Sequence, residues 1–229
     1  MHVPDGFLDA TTSLGTAAVA TGVVALSLGR AARRELDDRS APLAGLVAVF
    51  VFAAQMLNFP VGAGTSGHLV GAALAAVLVG PATATLCLTV VLAVQAFLFA
   101  DGGVTALGTN VLLMGVVAVW VGHGVFRGSL ALLPRRLASV PVAAGLGAFA
   151  SVPAAAMAFV GLYAVGGAAP IPLGTLAATM GGWHVLIGLG EAAISLLAVS
   201  SIVAARPDLV RGARGHLPAL ALHTPEVVA

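Results

Sequence analysis

The first residues of the chain, MHVPDGFL, offer a set of nitrogen ligands for a metal ion. The α-amine of Met1, the deprotonated backbone amide nitrogen of His2 and the His2 imidazole can close two fused chelate rings in nearly one plane. Square-planar nitrogen coordination favours Ni(II) or Cu(II). His68, which ends the glycine-rich stretch NFPVGAGTSGH, is the candidate fourth ligand. The alternative interpretation is a solvent-exposed terminal histidine without a role.

The composition indicates an integral membrane protein. Of the 229 residues, 59% are hydrophobic and 8% are charged, whereas about a quarter are charged in a soluble domain. The amino-terminal stretch has no basic region ahead of an apolar core, so we do not expect a targeting leader. The few aromatic residues and the net charge of +1 argue against nucleic acid as a partner.

Seven apolar segments have roughly the length that a helix needs to cross the hydrocarbon core, about 20 residues. They are residues 11–29, 42–58, 68–80, 82–100, 104–126, 140–166 and 182–205. The sequence therefore predicts an all-α polytopic membrane protein, with a single transmembrane metal-capture domain over residues 1–205. The polar tail, residues 206–229, is expected to be cytoplasmic and disordered.

The arginines determine the predicted orientation of these segments. All ten basic residues are arginines, and they follow the first, fifth and seventh segments. Cytoplasmic loops carry the excess of basic residues. With seven crossings every arginine lies on one side, whereas with six the cluster at 127–136 would lie opposite the cluster at 30–39. We therefore expect seven crossings, a tight cytoplasmic turn at Gly80-Pro81, the amino terminus outside and the tail inside.

Five further polar residues are candidates to support the metal site. Asp5 and Asp101 could each orient a ligating imidazole as a neighbouring carboxylate. Asp5 is preferred because it is closer in sequence, although it could instead cap the first helix or start a turn. His184 and Glu191 are seven residues apart and share one helical face. A carboxylate within a membrane indicates function by default, although Glu191 could instead bond polar side chains of neighbouring helices. Ser66, in the glycine-rich loop, is the fifth candidate.

Four longer motifs resemble one known family. These are MHVPDGFL, LNFPVGAGTSGHLVGAALAAVLVGP, VQAFLFADGGVTALGTNVLLMG and HVLIGLGE, and they extend from Met1 to about residue 203. They are similar to the CbiM/NikM family, the substrate-binding (S) components of energy-coupling-factor transporters for cobalt and nickel. The resemblance implies an extra amino-terminal helix added to a six-helix core. It also implies that Met1, His2 and His68 hold the metal.

The resemblance further implies how such a protein works. It would capture Co²⁺ or Ni²⁺ at the outer face of the cytoplasmic membrane, as transported substrate and not as a permanent cofactor. The chain contains no lysine and so no Walker A motif, which means that ATP must be used by partners. The implied partners are an integral coupling subunit, two ATPase subunits and a small accessory membrane protein. The planar nitrogen set favours nickel, whereas the overall resemblance favours the cobalt branch, which feeds corrinoid synthesis. The protein itself is not expected to be an enzyme.

A protease is the alternative function. Residues 64–67, GTSG, fit the G-x-S-G pattern of rhomboid-type intramembrane serine proteases, with His184 as the base for Ser66. Such a dyad needs only a positioned serine and a base within hydrogen-bond reach. However, this short pattern is common in a chain with 29 glycines, and it leaves the amino terminus unexplained.

Overall fold

The chain forms a helical bundle with one short hairpin. The structure, a computed structural model, describes residues 2–38, 40–62 and 65–217. The helices are α1 (Ala10–Arg34), α2 (Ser40–Gln55), α3 (Ala72–Val79), α4 (Pro81–Leu98), α5 (Leu107–Asn110), α6 (Val119–Leu132), α7 (Ser139–Gly166) and α8 (Leu173–Ala205). A π-helical stretch, Val111–Ala118, joins α5 to α6 in one continuous helix. Strands β1 (Phe59–Gly62) and β2 (Thr65–Gly67) pair antiparallel.

Five helical spans are long and apolar enough to cross a membrane. They are Ala10–Arg34, Pro81–Leu98, Leu107–Leu132, Ser139–Gly166 and Leu173–Ala205, and the apolar helix α2 is shorter, at 16 residues. This confirms the predicted polytopic α-helical class. The last helix begins at Leu173 after Pro172, earlier than the predicted residue 182. His184 therefore lies well inside α8 and not at its start.

The third predicted crossing is only partly helical. Its helix begins at Ala72 instead of His68 and has eight residues, a rise of about 12 Å against a hydrocarbon core of about 30 Å. Every residue of α3 is buried, enclosed by α2, α4, α6 and α7. Non-helical backbone is tolerated at membrane depth only where protein surrounds it, so the bundle must supply hydrogen bonds to residues 68–71.

The arginines gather at one end of the bundle, as the seven-segment arrangement predicts. Three cavities at this end are lined by arginines that lie in the last turns of α1, in α6, or in the segments that follow α6 and α8, namely Arg30, Arg34, Arg127, Arg135, Arg206, Arg211 and Arg214. We call this the arginine end. The opposite end, which carries His2, His68 and Asp101, is called the histidine end.

The beginning of the polar tail is folded. Residues 207–209 and 211–216 form 3₁₀ turns, and Val210 and Ala213 are fully buried. Arg211 donates hydrogen bonds to the backbone carbonyls of Arg34 and Glu35. The expectation of a disordered tail from residue 206 was therefore wrong for residues 206–217. Residues 218–229 lie outside the described part of the chain.

Candidate metal site

The amino-terminal segment folds back into the histidine end. The amide nitrogen of Val3 donates to Asn110 Oδ1 at 2.8 Å, and Asn110 Nδ2 donates to the Val3 carbonyl at 3.1 Å. Gly103 N also donates to the Val3 carbonyl, at 3.0 Å. Further along, Leu8 forms an antiparallel bridge with Gly167. These bonds place His2 inside the protein, where only 6% of its surface is exposed.

A glycine permits this close approach. A Cβ atom on Gly103 would lie 2.4 Å from the backbone nitrogen of Asp5, closer than atoms can approach without a shift. The carboxylate of Asp5 accepts hydrogen bonds from the amide and hydroxyl of Thr105, and the Thr105 hydroxyl is the main cause of the lowered pKa of Asp5. Asp5 thus holds the amino-terminal segment against the loop before α5. In the described part of the chain its carboxylate does not contact an imidazole.

Asp101 is the carboxylate beside the histidine. Its Oδ1 lies 2.9 Å from His2 Nδ1, and its Oδ2 accepts a hydrogen bond from Asn58 at 2.7 Å. Burial raises the pKa of Asp101, but the hydrogen bond from His2 and the neighbouring positive charge outweigh it and lower the pKa overall. Asp101 is therefore an anion in direct contact with His2 Nδ1. The sequence-based preference for Asp5 over Asp101 is reversed by these contacts.

His68 presents a free nitrogen lone pair inside the protein. Its Nδ1 lies 2.8 Å from the carbonyl oxygen of Leu69, and because a carbonyl can only accept, Nδ1 carries the proton. Nε2 is then unprotonated, and it is buried without a hydrogen-bond partner in the described residues. Burial, assisted by nearby positive charge, lowers the pKa of His68 well below its ordinary value. A neutral imidazole oriented by a hydrogen bond at its other nitrogen is the form that ligates metals.

The two histidine rings lie against each other. The centroids of His2 and His68 are 4.5 Å apart, and the ring planes are inclined by 22°. The chain thus brings together two of the three predicted ligand residues from positions 66 residues apart in sequence. Met1, the third predicted ligand, lies outside the described residues.

Glu191 supports the backbone that follows His68. Its Oε1 accepts hydrogen bonds from the amide nitrogens of Val70 and Gly71, the latter at 2.9 Å. From the other side, Gln55 Nε2 donates to the Val70 carbonyl at 2.8 Å. Gly71 has a φ of 71°, a left-handed conformation that glycine adopts at no steric cost. The buried carboxylate thus satisfies the non-helical backbone ahead of α3 and holds the segment that carries His68.

His184 lies on the same face of α8 as Glu191. It is fully buried, and its Nδ1 lies 2.8 Å from the carbonyl oxygen of Met180, one turn earlier. Its Nε2 therefore also presents a lone pair, without a hydrogen-bond partner among the described residues. A positive charge on His184 would lower the pKa of His68, so the two rings are within electrostatic range.

The described residues contain no group of three or more His, Cys, Asp or Glu side chains that could hold a metal ion. The proposed ligand set includes backbone nitrogens of Met1 and His2, so it is not a cluster of this kind.

Ser66 is half-buried on β2, opposite Pro60. No hydrogen bond joins Ser66 to His184 within the described ranges, and nothing in the geometry favours a serine protease.

The sequence analysis did not predict the roles of two site residues. Asn110 forms two hydrogen bonds with the backbone of Val3, and Gln55 donates a hydrogen bond to the carbonyl of Val70. Both are fully or almost fully buried polar side chains in apolar helices. The signal that could have found them is the cost of burying an amide without a partner. A buried amide side chain in an apolar helix therefore indicates that a neighbouring backbone or side-chain group forms hydrogen bonds with it.

The chain is similar to known metal transport proteins over nearly its whole length. Residues 2–209 match the family described as the cobalt uptake substrate-specific transmembrane region, CbiM. A Haloquadratum walsbyi protein described as a metal transport protein is 40% identical over 214 residues, covering 92% of this chain and 93% of that protein. A protein of Archaeoglobus fulgidus described as a fused nickel transport protein, NikMN, is 40% identical over 211 residues, 92% of this chain and 68% of that protein.

The fold is shared with a solved structure. The crystal structure of a truncated transition metal transporter has a TM-score of 0.82 and 30% sequence identity, and the match covers 89% of this chain and 99% of that one. The apolar spans agree with a multi-pass protein of the cell membrane. The chain belongs to the CbiM family, the substrate-specific membrane components of cobalt and nickel transport.

Proposed function

We propose that this protein captures one Co²⁺ or Ni²⁺ ion at its histidine end for uptake. The observation that carries the proposal is the free lone pair on His68 Nε2, buried beside His2. A buried polar atom without a partner is costly, and a divalent ion would satisfy it. The remaining ligands are the Met1 amine, the His2 amide nitrogen and the His2 imidazole.

The His2 imidazole must ligate through Nδ1 if it is to chelate together with its own amide. Of the two ring nitrogens, Nδ1 is separated from the backbone nitrogen by fewer bonds, so it closes the smaller ring. In the structure, Nδ1 faces Asp101. Ligation therefore requires Nδ1 to be unprotonated and the ring to turn away from the carboxylate. Asp101 is then free to accept the proton of Nε2, as carboxylates beside ligating histidines do.

The proposal includes an orientation and partners. The arginine end faces the cytoplasm, because basic residues concentrate in cytoplasmic loops, and the histidine end faces outward. The chain is the S component of an energy-coupling-factor transporter. Its energy comes from two ATPase subunits through an integral coupling subunit, assisted by a small accessory membrane protein. The fused architecture of the NikMN relative supports the assignment to a multi-component system.

Metal titration of single-histidine variants tests the proposal. Purified protein is titrated calorimetrically with nickel and with cobalt, comparing His68→Ala with His216→Ala, the same substitution at the arginine end. We expect His68→Ala to lose at least about 100-fold in affinity, since it removes a ligand where a supporting partner alone costs 10–100-fold. His216→Ala should bind as the parent protein does, and Ser66→Ala should lose affinity only modestly. Equal binding by His68→Ala would refute this site, and fluorophosphonate labelling of Ser66 would favour the protease.

A further inference from the structure

A second polar site lies at the arginine end, far from the histidines. A cavity of about 330 Å³ opens between α1, α6 and the 3₁₀ turn of residues 211–216. Four guanidinium groups line it, those of Arg30, Arg34, Arg127 and Arg211, together with one carboxylate, Glu35. The cavity thus has a formal excess of three positive charges (four arginines less one glutamate). Its volume is in the range of small-molecule sites.

Glu35 offsets only one of the four positive charges. The residue is 4% exposed, and its Oε2 accepts a hydrogen bond from the amide of Thr83 at 2.8 Å. Its Oε1 lies 3.8 Å from Arg30 Nε. Arg34 and Arg127 are exposed and have no acidic partner within residues 2–38, 40–62 and 65–217. Their guanidinium groups can therefore accept an anion from outside the chain.

The other two arginines are held in place by neighbours. Arg211 donates to the backbone carbonyls of Arg34 and Glu35, which brings the turn after α8 against the end of α1. The guanidinium of Arg30 lies over the Trp120 ring, 5.7 Å from its centroid, a favourable cation–π arrangement. Because their positions are fixed by these contacts, the cavity keeps its shape without an occupant, which lowers the entropic cost of binding.

We propose that this cavity binds a phosphate group, either the headgroup phosphate of an anionic lipid or a soluble phosphate. Guanidinium forks match phosphate oxygens in pairs of parallel hydrogen bonds. His123, which lines the same cavity, has a buried Nδ1 without a partner in the described ranges and can add another hydrogen bond. The lipid source is at the right place, since the exposed apolar residues Leu26 and Leu28 of α1 precede Arg30 by four and two residues. This site is independent of metal capture.

The experiment compares two double variants with equal loss of charge. Arg34→Gln/Arg127→Gln removes the two unpaired arginines of the cavity. The control, Arg33→Gln/Arg136→Gln, removes two exposed arginines at the same end that do not line it. Retention of phosphatidylglycerol and of phosphatidylcholine is measured by native mass spectrometry of the protein in detergent. Inorganic phosphate is titrated separately by calorimetry.

We expect the parent protein to retain phosphatidylglycerol in preference to phosphatidylcholine. The cavity variant should lose about 30-fold in affinity, roughly fivefold per arginine near a membrane surface, and the control less than twofold. Retention of the lipid without binding of inorganic phosphate identifies the headgroup as the source. Binding of inorganic phosphate that the cavity variant loses identifies a soluble source. If neither probe binds, or if the control loses as much as the cavity variant, the arginines are only a charged surface and the proposal is wrong.

Discussion

The imidazole rings of His2 and His68 are stacked, with their centroids 4.5 Å apart and their planes inclined by 22°. The lone pairs of imidazole nitrogens lie in the ring planes, so in nearly parallel rings they run side by side and do not converge. An ion held by both residues therefore requires one ring to turn. His68 is fixed by its bond to Leu69, and the residue that can turn is His2, which must leave Asp101.

Glu191 is expected to position His68 without contacting the metal. Glu191→Ala leaves the amides of Val70 and Gly71 without their acceptor, and we expect a 10–100-fold loss of metal affinity. Glu191→Gln keeps one acceptor oxygen and should lose less. Calorimetric titration with nickel measures both. A matched control is Ser195→Ala, one turn further along the same buried face of α8. Unchanged affinity in Glu191→Ala would show that the segment of His68 is held by other contacts.

Asn110 is expected to control the docking of the amino terminus. Its side chain makes two hydrogen bonds to Val3, as acceptor and as donor. Asn110→Asp keeps the acceptor but loses the donor, and Asn110→Ala loses both. Each buried bond left unsatisfied costs about 1–3 kcal/mol, so metal affinity should decrease from the parent to Asp to Ala. Proteolysis of the amino-terminal segment should increase in the same order. If Asp and Ala behave alike, the donor bond to Val3 is the important one.

The structure changes the expected pH dependence of metal binding. From the ordinary pKa of imidazole, about 6.5, the sequence predicts a steep loss of affinity below that pH. Burial lowers the pKa of His68, so His68 stays neutral as the pH falls through 6.5. The Met1 amine, with an ordinary pKa of about 8, must lose its proton to ligate. Affinity should therefore fall already between pH 8 and 6.5, by at least about tenfold per pH unit.

The lowered pKa of His68 also makes the stability of the folded protein depend on pH. A histidine whose folded pKa is below its unfolded value takes up a proton more readily when the chain unfolds. Stability is therefore complete above about pH 6.5 and decreases as the pH falls towards the folded pKa. His68→Gln should remove this part of the acid sensitivity in thermal unfolding at pH 7 and pH 5.5. If His68→Gln loses as much stability at pH 5.5 as the parent protein does, another titratable group causes the acid sensitivity.

The sequence was most informative where periodicity and charge act over long stretches. The apolar spans and the gathering of arginines at one end followed from hydropathy and from the distribution of basic residues. The role of Glu191 depended on tertiary structure, because its partners are backbone amides 120 and 121 residues away. The choice of Asp101 over Asp5 also depended on long-range contacts, since Asp101 meets His2 only after the amino terminus folds back.

The sequence did not predict where the last helix begins. The last apolar segment was predicted from residue 182, which left residues 173–181, LGTLAATMG, outside it. They are helical because they continue α8, which packs along α7. The folding of residues 206–217 also depended on tertiary structure, since Val210 and Ala213 are buried where the turn of residues 211–216 packs on α3.

Membrane orientation is tested by labelling single cysteines from outside the cell. Cys87 is buried and is first replaced by alanine. A cysteine at Val104, 48% exposed near the histidine end, should react with an impermeant thiol reagent. A cysteine at Arg135, exposed at the arginine end, should react only after the membrane is permeabilised. The reverse pattern would invert the proposed topology.

The most direct test of the metal site concerns the amine of Met1. Nickel and cobalt affinities are measured calorimetrically for the untagged protein, for a protein with an amino-terminal tag and for one with a carboxy-terminal tag. If the amine is a ligand beside His2 and His68, the amino-terminal tag should abolish tight binding, and the carboxy-terminal tag should leave it unchanged. Adding a single residue before Met1 should also prevent correct capture, because the amine, two amides and the imidazole would then fill the plane without His68. Full affinity with the amino-terminal tag in place would contradict the proposed site.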